Sequence, residues 1–332
     1  MKIAFVLSNP RIVASDGVAS QAKTWKQGLE SLGNEVVLVN MWNVYDWKSF
    51  HIILVFGFNA YLKDFITWMY PINQNIIVAP ILDPNYKLWA LWCYARWGND
   101  KLRLSNPYHD LFSIQEKVKM FLVRSKYEQI FLTKGFGMAS DKCKIVPLSC
   151  SFDDLAMPQE CKREPFCLHI SLLCDSRKNV KRLIEASTKY NFKLVLCGKL
   201  RNDKEEKLLK TWLENAPNVE YKGFVTLEEM KELYCKASVF ALPSTYEGVG
   251  IVALDAAAFG CDIVITKLGG PKEYYSGMAL EVDPYSVDDI GSAVAKFLNG
   301  KTFQPQLREY IREKNSLCQI SKMLVVEFEK IL

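Results

Sequence analysis

The fold class predicted by this sequence is α/β, with two doubly wound parallel sheets in two domains. Three observations predict it. The length of 332 residues suits about two domains at roughly 150 residues each. Short apolar runs alternate along the chain with longer stretches of helical period, which is the pattern of strand–helix–strand units. That alternation stops near residue 147, crosses a proline-containing stretch and then starts again.

Taken in order, residues 2–7 form a buried strand. Residues 20–32 form a helix, because Ala22, Trp25, Leu29 and Leu32 recur near 3.6 spacing and Gly33 ends it. The next strands are 35–39, 51–56 and 76–80, with shorter ones at 121–123 and 144–146. The stretch PLSCSFDDLAMPQECKREP carries three prolines, mixed charge and no periodicity, so residues 151–164 read as a linker. Beyond it, strands are expected at 166–173, 192–197, 219–221, 239–242 and 263–266. Helices are expected at 180–190, 203–215, 227–236, 251–259 and 287–298, with further helices from about residue 305 to 332. The domains are thus expected at 1–150 and 165–317, as two Rossmann-like halves facing a cleft. Ligands of such sheets bind outside the carboxyl ends of the strands.

Composition narrows the function. Apolar residues make up 49% and charged residues 24%, which excludes a disordered or collagen-like chain. A net charge of +5 over this length is a weak field, so no nucleic-acid partner is expected. The first apolar run is too short for a signal-peptide core. No run of about 18 apolar residues predicts a membrane span. Ten cysteines include no CxxC pair, and the histidines are His51, His109 and His169 alone. Neither pattern suits zinc, so no metal is expected and the thiols read as reduced, in the cytoplasm.

The most informative segment is VFALPSTYEGVGIVALDAAAFGCDIVIT. A buried strand runs into Pro243-Ser244, then Glu247-Gly248-Val249-Gly250, then a helix. Glycines at a helix start let the backbone approach a ligand closely, and the free N–H groups and helix dipole favour an anion there. Asp255 lies one turn beyond Ile251, where a carboxylate can bind a ribose diol. Glu247, on the loop before the helix, can hold a sugar hydroxyl or stabilise positive charge.

This segment resembles the carboxylate signature of the retaining glycosyltransferases of family 4, which have the GT-B fold. That family places a Glu, seven residues and a second Glu; here the pair is Glu247 and Asp255, one methylene shorter. KNVKRLIEA (178–186), VLCGK (195–199), YKGFV (221–225) and KLGGPKEY (267–274) follow the family's order and spacing. In the first half the likeness is looser: DGVAS (16–20), GNEVVLV (33–39), Ser125 and KIVPLSCSFDD (144–154). The resemblance implies transfer of a sugar, with retention and without a metal, from a UDP- or GDP-sugar donor to a saccharide or lipid-linked saccharide, in surface glycan or polysaccharide synthesis. It implies that Lys178 neutralises the donor diphosphate with help from Arg177, and that Gly248, Val249, Gly250 and Ile251 supply backbone donors. It places Glu247 on the donor sugar, Asp255 on the ribose, Phe224 and Val225 near the base, and Gly17 on the diphosphate from the first half. It also implies that the last helix, residues 318–332, completes the N-terminal, acceptor-binding domain.

Two departures stand out. The family's Gly-Arg after the first strand of the second half aligns with Ser171 and Leu172, and Arg177 can replace that Arg only if its side chain turns into the cleft. The family's His near the end of the fourth strand is missing; Asp83 lies there, either as a sugar or acceptor contact or as the start of a turn. His169 reads as a core residue of its strand, and Glu273 as structural. Residues 86–97 hold three of the eight tryptophans between Lys87, Arg96, Lys101 and Arg103. Three readings stand: a buried helix, an interfacial helix touching the inner face of the membrane, or a helix with one face packed and the other lining the acceptor groove. Against the glycosyltransferase stand two rivals on the same fold, a nucleotide-sugar epimerase and a catalytically silent module that binds a nucleotide sugar or pairs with an active partner.

Overall fold

The structure is a computed structural model, and it describes residues 1–7, 17–59, 61–82, 86–98, 106–152 and 162–332. It divides into two compact units, Met1–Ser151 with Leu317–Leu332, and Phe152–Ser316.

The first unit is a six-stranded sheet of β1 (Lys2–Leu7), β2 (Glu35–Leu38), β3 (Ile52–Phe56), β4 (Ile76–Ala79), β5 (Met120–Val123) and β6 (Cys143–Ile145). The strands run parallel in the order β2-β1-β3-β4-β5-β6. The IILVF run of β3 is buried on both faces, as a central parallel strand requires. Alternate residues feed two cores. Ala4, Val6, Ile53 and Val55 pack under α2 (Leu62–Met69), α3 (Leu88–Arg96) and α4 (Pro107–Ser113). Ile3, Phe5, Leu54 and Phe56 pack under α1 (Gly17–Ser31) and α12 (Leu317–Glu329), the last helix of the chain. At Gly28 α1 and α12 touch so closely that a Cβ would lie 1.9 Å from Ser321 Oγ.

The second unit is a parallel sheet of β7 (Glu164–Ile170), β8 (Leu194–Cys197), β9 (Val219–Tyr221), β10 (Ala237–Leu242), β11 (Asp262–Thr266) and β12 (Leu280–Val282). Its order is β12-β11-β10-β7-β8-β9, so the chain reverses its direction of travel between β7 and β10. The α6 (Val180–Lys189) and α10 (Val287–Leu298) helices cover one face; α8 (Leu227–Lys236) and α9 (Ile251–Phe259) pack together against the other. Apart from α7 (Asp203–Leu213), the remaining helix of this unit is α11 (Gln306–Asn315), which packs on α9.

The doubly wound α/β class is therefore as expected, while several local boundaries differ. Helices α2, α4 and α5 (Lys126–Ile130) and strand β12 were not anticipated. The helices have eight residues or fewer and the strand has three, too few to show a period. Strand β7 takes in Glu164 and stops at Ile170, because the chain turns at Leu172, whose carbonyl accepts from Asp175 N–H at 3.0 Å. The remaining linker residues 153–161 and Asp83 lie outside the described residues. The stretch from 305 breaks at Ser316, which is extended, into α11 and α12. The buried reading of residues 86–97 holds only for Leu91 and Ala95: Trp89, Trp92 and Trp97 are 68%, 48% and 74% exposed.

Candidate functional site

The reversal between β7 and β10 leaves a crevice at the carboxyl ends of those strands, where ligands of open α/β sheets bind. Three loops meet there, after β7 (171–179), after β10 (243–250) and after β11 (267–271). The first two are stitched by Thr245 N–H donating to Arg177 O at 2.8 Å. Asn179, buried with φ +59°, donates from its amide to Pro243 O and Pro284 O at 2.9 and 2.6 Å. The third packs so tightly that a Cβ on Gly269, itself at φ +86°, would lie 2.4 Å from Glu247 O.

Within this frame Lys178 Nζ lies 2.5 Å from Glu247 Oε2, with side chains 13% and 9% exposed. Ser244 Oγ donates to the same carboxylate oxygen at 3.2 Å. An ion pair so little hydrated needs such extra hydrogen bonds to offset desolvation. Both charges thus stand at the crevice with fixed geometry. Asp175 accepts from Arg177 N–H at 3.0 Å, which closes the single turn carrying Lys178. The Arg177 guanidinium lies 5.4 Å from the Tyr246 ring, beside the loop that carries Glu247.

Helix α9 opens from this loop. Gly250 sits at φ +77°, which only glycine adopts freely, and Gly260 closes the helix at φ +95°. The first N–H groups of any helix lack intrahelical acceptors, and those of α9 follow Gly248, Val249 and Gly250 directly. Asp255 is one turn further on and buried, with Tyr234 among its neighbours.

Residue by residue, the structure brings Lys178, Arg177, Glu247, Gly248, Val249, Gly250 and Ile251 to one crevice. Phe224, exposed, and Val225, buried, follow β9, two strands from β7 along the same sheet. Gly17 begins α1 in the other unit. Leu172, at the position of the family's Arg, is exposed. Among the described residues no cluster of three or more His, Cys, Asp or Glu is placed to hold a metal ion.

Sequence reasoning passed over Ser244 and Asn179; its reading of His169 as a core residue holds, without its partner Ser171. The buried His169 ring has Nδ1 2.7 Å from Ala241 O and Nε2 2.7 Å from Ser171 Oγ. A carbonyl can only accept, so Nδ1 carries the proton and Nε2 accepts from the Ser171 hydroxyl. Burial lowers the His169 pKa to about 4, which keeps this neutral tautomer. The signal for Ser244 was present as Ser-x-x-Glu; the His169 pairing crosses strands and leaves none.

Residues 162–315 match the family model described as glycosyl transferases group 1. The O-antigen chain mannosyltransferase B of Escherichia coli is 25% identical over 208 residues, covering 57% of this chain and 54% of that protein. An uncharacterized glycosyltransferase of Methanocaldococcus jannaschii is 34% identical over 143 residues, 41% of this chain and 35% of that one. The chain thus spans about half or less of the length of these relatives. Among solved structures, sucrose-phosphate synthase from Thermosynechococcus elongatus superposes with a TM-score of 0.74 at 16% identity, covering 99% of this chain and 98% of the other. HepE of Anabaena, in complex with UDP and glucose, superposes with a TM-score of 0.70 at 12% identity, covering 99% and 100%. The chain has the GT-B fold of these proteins, and the family likeness of its residues 162–315 is to the glycosyl transferases group 1.

Proposed function

We propose that the protein is a retaining, metal-independent glycosyltransferase that moves a sugar from a UDP- or GDP-sugar to a saccharide or lipid-linked saccharide acceptor in glycan synthesis. The observation that carries this reading is the Lys178–Glu247 pair at the start of α9, inside the segment that matches the family. Departure of the diphosphate is the demanding step. Lys178 and the amides opening α9 would hold its growing negative charge in a dry crevice, which lowers the barrier. Glu247 would then be released to the donor sugar. The sugar C1–O bond to the diphosphate breaks, the acceptor oxygen bonds C1 on the same face, and the acceptor proton passes to a phosphate oxygen. Asp255 is assigned to the ribose, Phe224 and Val225 to the base, and Arg177 to the diphosphate beside Lys178.

The acceptor is assigned to the first unit, with Asp83 as a contact. A cavity of about 170 Å³ opens there, lined by Val6, Leu7, Met41, Val55, Tyr61, Leu62 and Phe65. It lies at the carboxyl ends of β1 and β3, where that sheet reverses. So apolar a lining favours a hydrocarbon part beside the sugar of the acceptor.

A thermal-shift screen of UDP-, GDP- and ADP-sugars identifies the donor, because ligand binding raises the melting temperature by linkage. Donor hydrolysis, followed by NMR of the anomeric proton, should then persist in EDTA and fall at least about 100-fold in Glu247→Gln, the scale of losing a positioned transition-state group. A donor that binds but is neither transferred nor hydrolysed, with Glu247→Gln inert, would leave the silent binding module, which Leu172 in place of the family's Arg already favours.

A further inference from the structure

Helix α3 is held from one side only. Leu91 and Ala95 enter the core with Leu111, Phe131 and Phe136. The His109 ring fixes the end of the helix, with Nδ1 3.0 Å from Ala95 O. At about 100° per residue, positions 89, 90, 93 and 96 fall on the other side and position 92 on its flank. That side and flank present Trp89 and Trp92 from the helix, with Trp97 just after its end, all exposed, whereas Tyr86 packs beside Tyr94 and Tyr108. Single exposed apolar residues are ordinary, whereas three exposed tryptophans within nine residues mark a contact surface.

Its charge points to one partner. Residues 86–98 contain Lys87 and Arg96 and no acid. The Arg96 guanidinium lies over the Trp92 ring at 4.1 Å and the Phe112 ring at 4.7 Å. The segment Phe131–Phe136, packed against α3, exposes Lys134. The carboxylates of the neighbouring helices, Asp110 of α4 and Glu128 of α5, are buried. Among the described residues of these elements, every exposed charge is therefore positive. Protein interfaces also use Trp and Arg, but inside a polar rim. Aromatic rings with cations and no exposed carboxylate match the headgroup layer of an anionic bilayer instead.

We propose that the exposed face of α3 seats the protein on an anionic membrane surface, with Trp89, Trp92 and Trp97 entering the headgroup layer and Lys87, Arg96 and Lys134 facing lipid phosphates. Its purpose rests on the lipid-linked acceptor proposed above, whereas its test reads binding alone. The full chain is floated with vesicles of phosphatidylglycerol and phosphatidylcholine, and with phosphatidylcholine alone. It should bind the first at low salt, and lose binding near 1 M salt, where the Debye length falls to about 3 Å. Trp89→Ser/Trp97→Ser should weaken partitioning at least about tenfold, as should Lys87→Gln/Lys134→Gln. Melting temperature and nucleotide-sugar thermal shift, unchanged in the variants, separate this result from any failure of the donor site. Absence of flotation at low salt overturns the proposal. So does binding that both double variants retain, or a dimer in sedimentation velocity that the Trp variant dissolves without altering flotation.

Discussion

At the scale of single residues, the crevice combines one ion pair with one neutral histidine, and the two respond differently to change. Removing Lys178 leaves Glu247 at 9% exposure with Ser244 as its remaining hydrogen-bond donor. Lys178→Ala should therefore lower kcat at least about 100-fold and cost about 3 kcal/mol or more of stability, the penalty of an uncompensated buried charge. Denaturant melts alongside donor-hydrolysis rates read both effects. For His169 the expected effect is a pH slope. Unfolded, it titrates near 6.5, and burial holds it near 4 in the fold. Between those values the unfolded chain binds more protons. This group's contribution is thus complete above pH 6.5 and is lost as pH falls toward 4, by about 3 kcal/mol. Urea midpoints across that window should fall more steeply in the native chain than in His169→Gln, which keeps a donor for Ala241 O and an acceptor for Ser171. The two residues also differ in legibility. Glu247 and Lys178 stand in segments whose local pattern announces them. His169 sits in an apolar strand, and only the register of β7 against β10 brings the carbonyl of Ala241 to its ring.

At the scale of elements, α9 matches its expected bounds because both ends are glycines that the backbone demands. Gly250→Ala would put a methyl group 2.7 Å from Leu242 Cδ2 at a φ of +77°. It should cost about 1–3 kcal/mol and weaken donor binding, read as a lower melting temperature and a smaller nucleotide-sugar shift. Strand β9 and helices α8 and α10 were equally legible, being bounded by turns and caps such as the Thr226–Glu229 capping box. Helix α3 shows the opposite case. LWALWCYAR is apolar almost all round, so its sequence cannot say which side faces the core. Contacts made by α4 and Phe131–Phe136, distant in sequence, decide it.

At the scale of the molecule, the first unit is discontinuous: α12 covers the sheet face formed by Ile3, Phe5 and Leu54. Gly28→Val should push α12 away, since its Cβ would lie 1.9 Å from Ser321 Oγ and 2.7 Å from Leu317 Cδ1. Calorimetry should show the first unit melting earlier and the second unit unchanged. This interleaving also sets an order of birth. The ribosome delivers residues 1–151 first, yet α12 follows the whole of the second unit. The second unit is one continuous segment and can close its core while still tethered. Its elder neighbour must wait with the Gly28 side of α1 uncovered until α12 emerges. Nascent domains usually mature from the amino end; here the sheet of the first unit is begun before the second unit and completed after it.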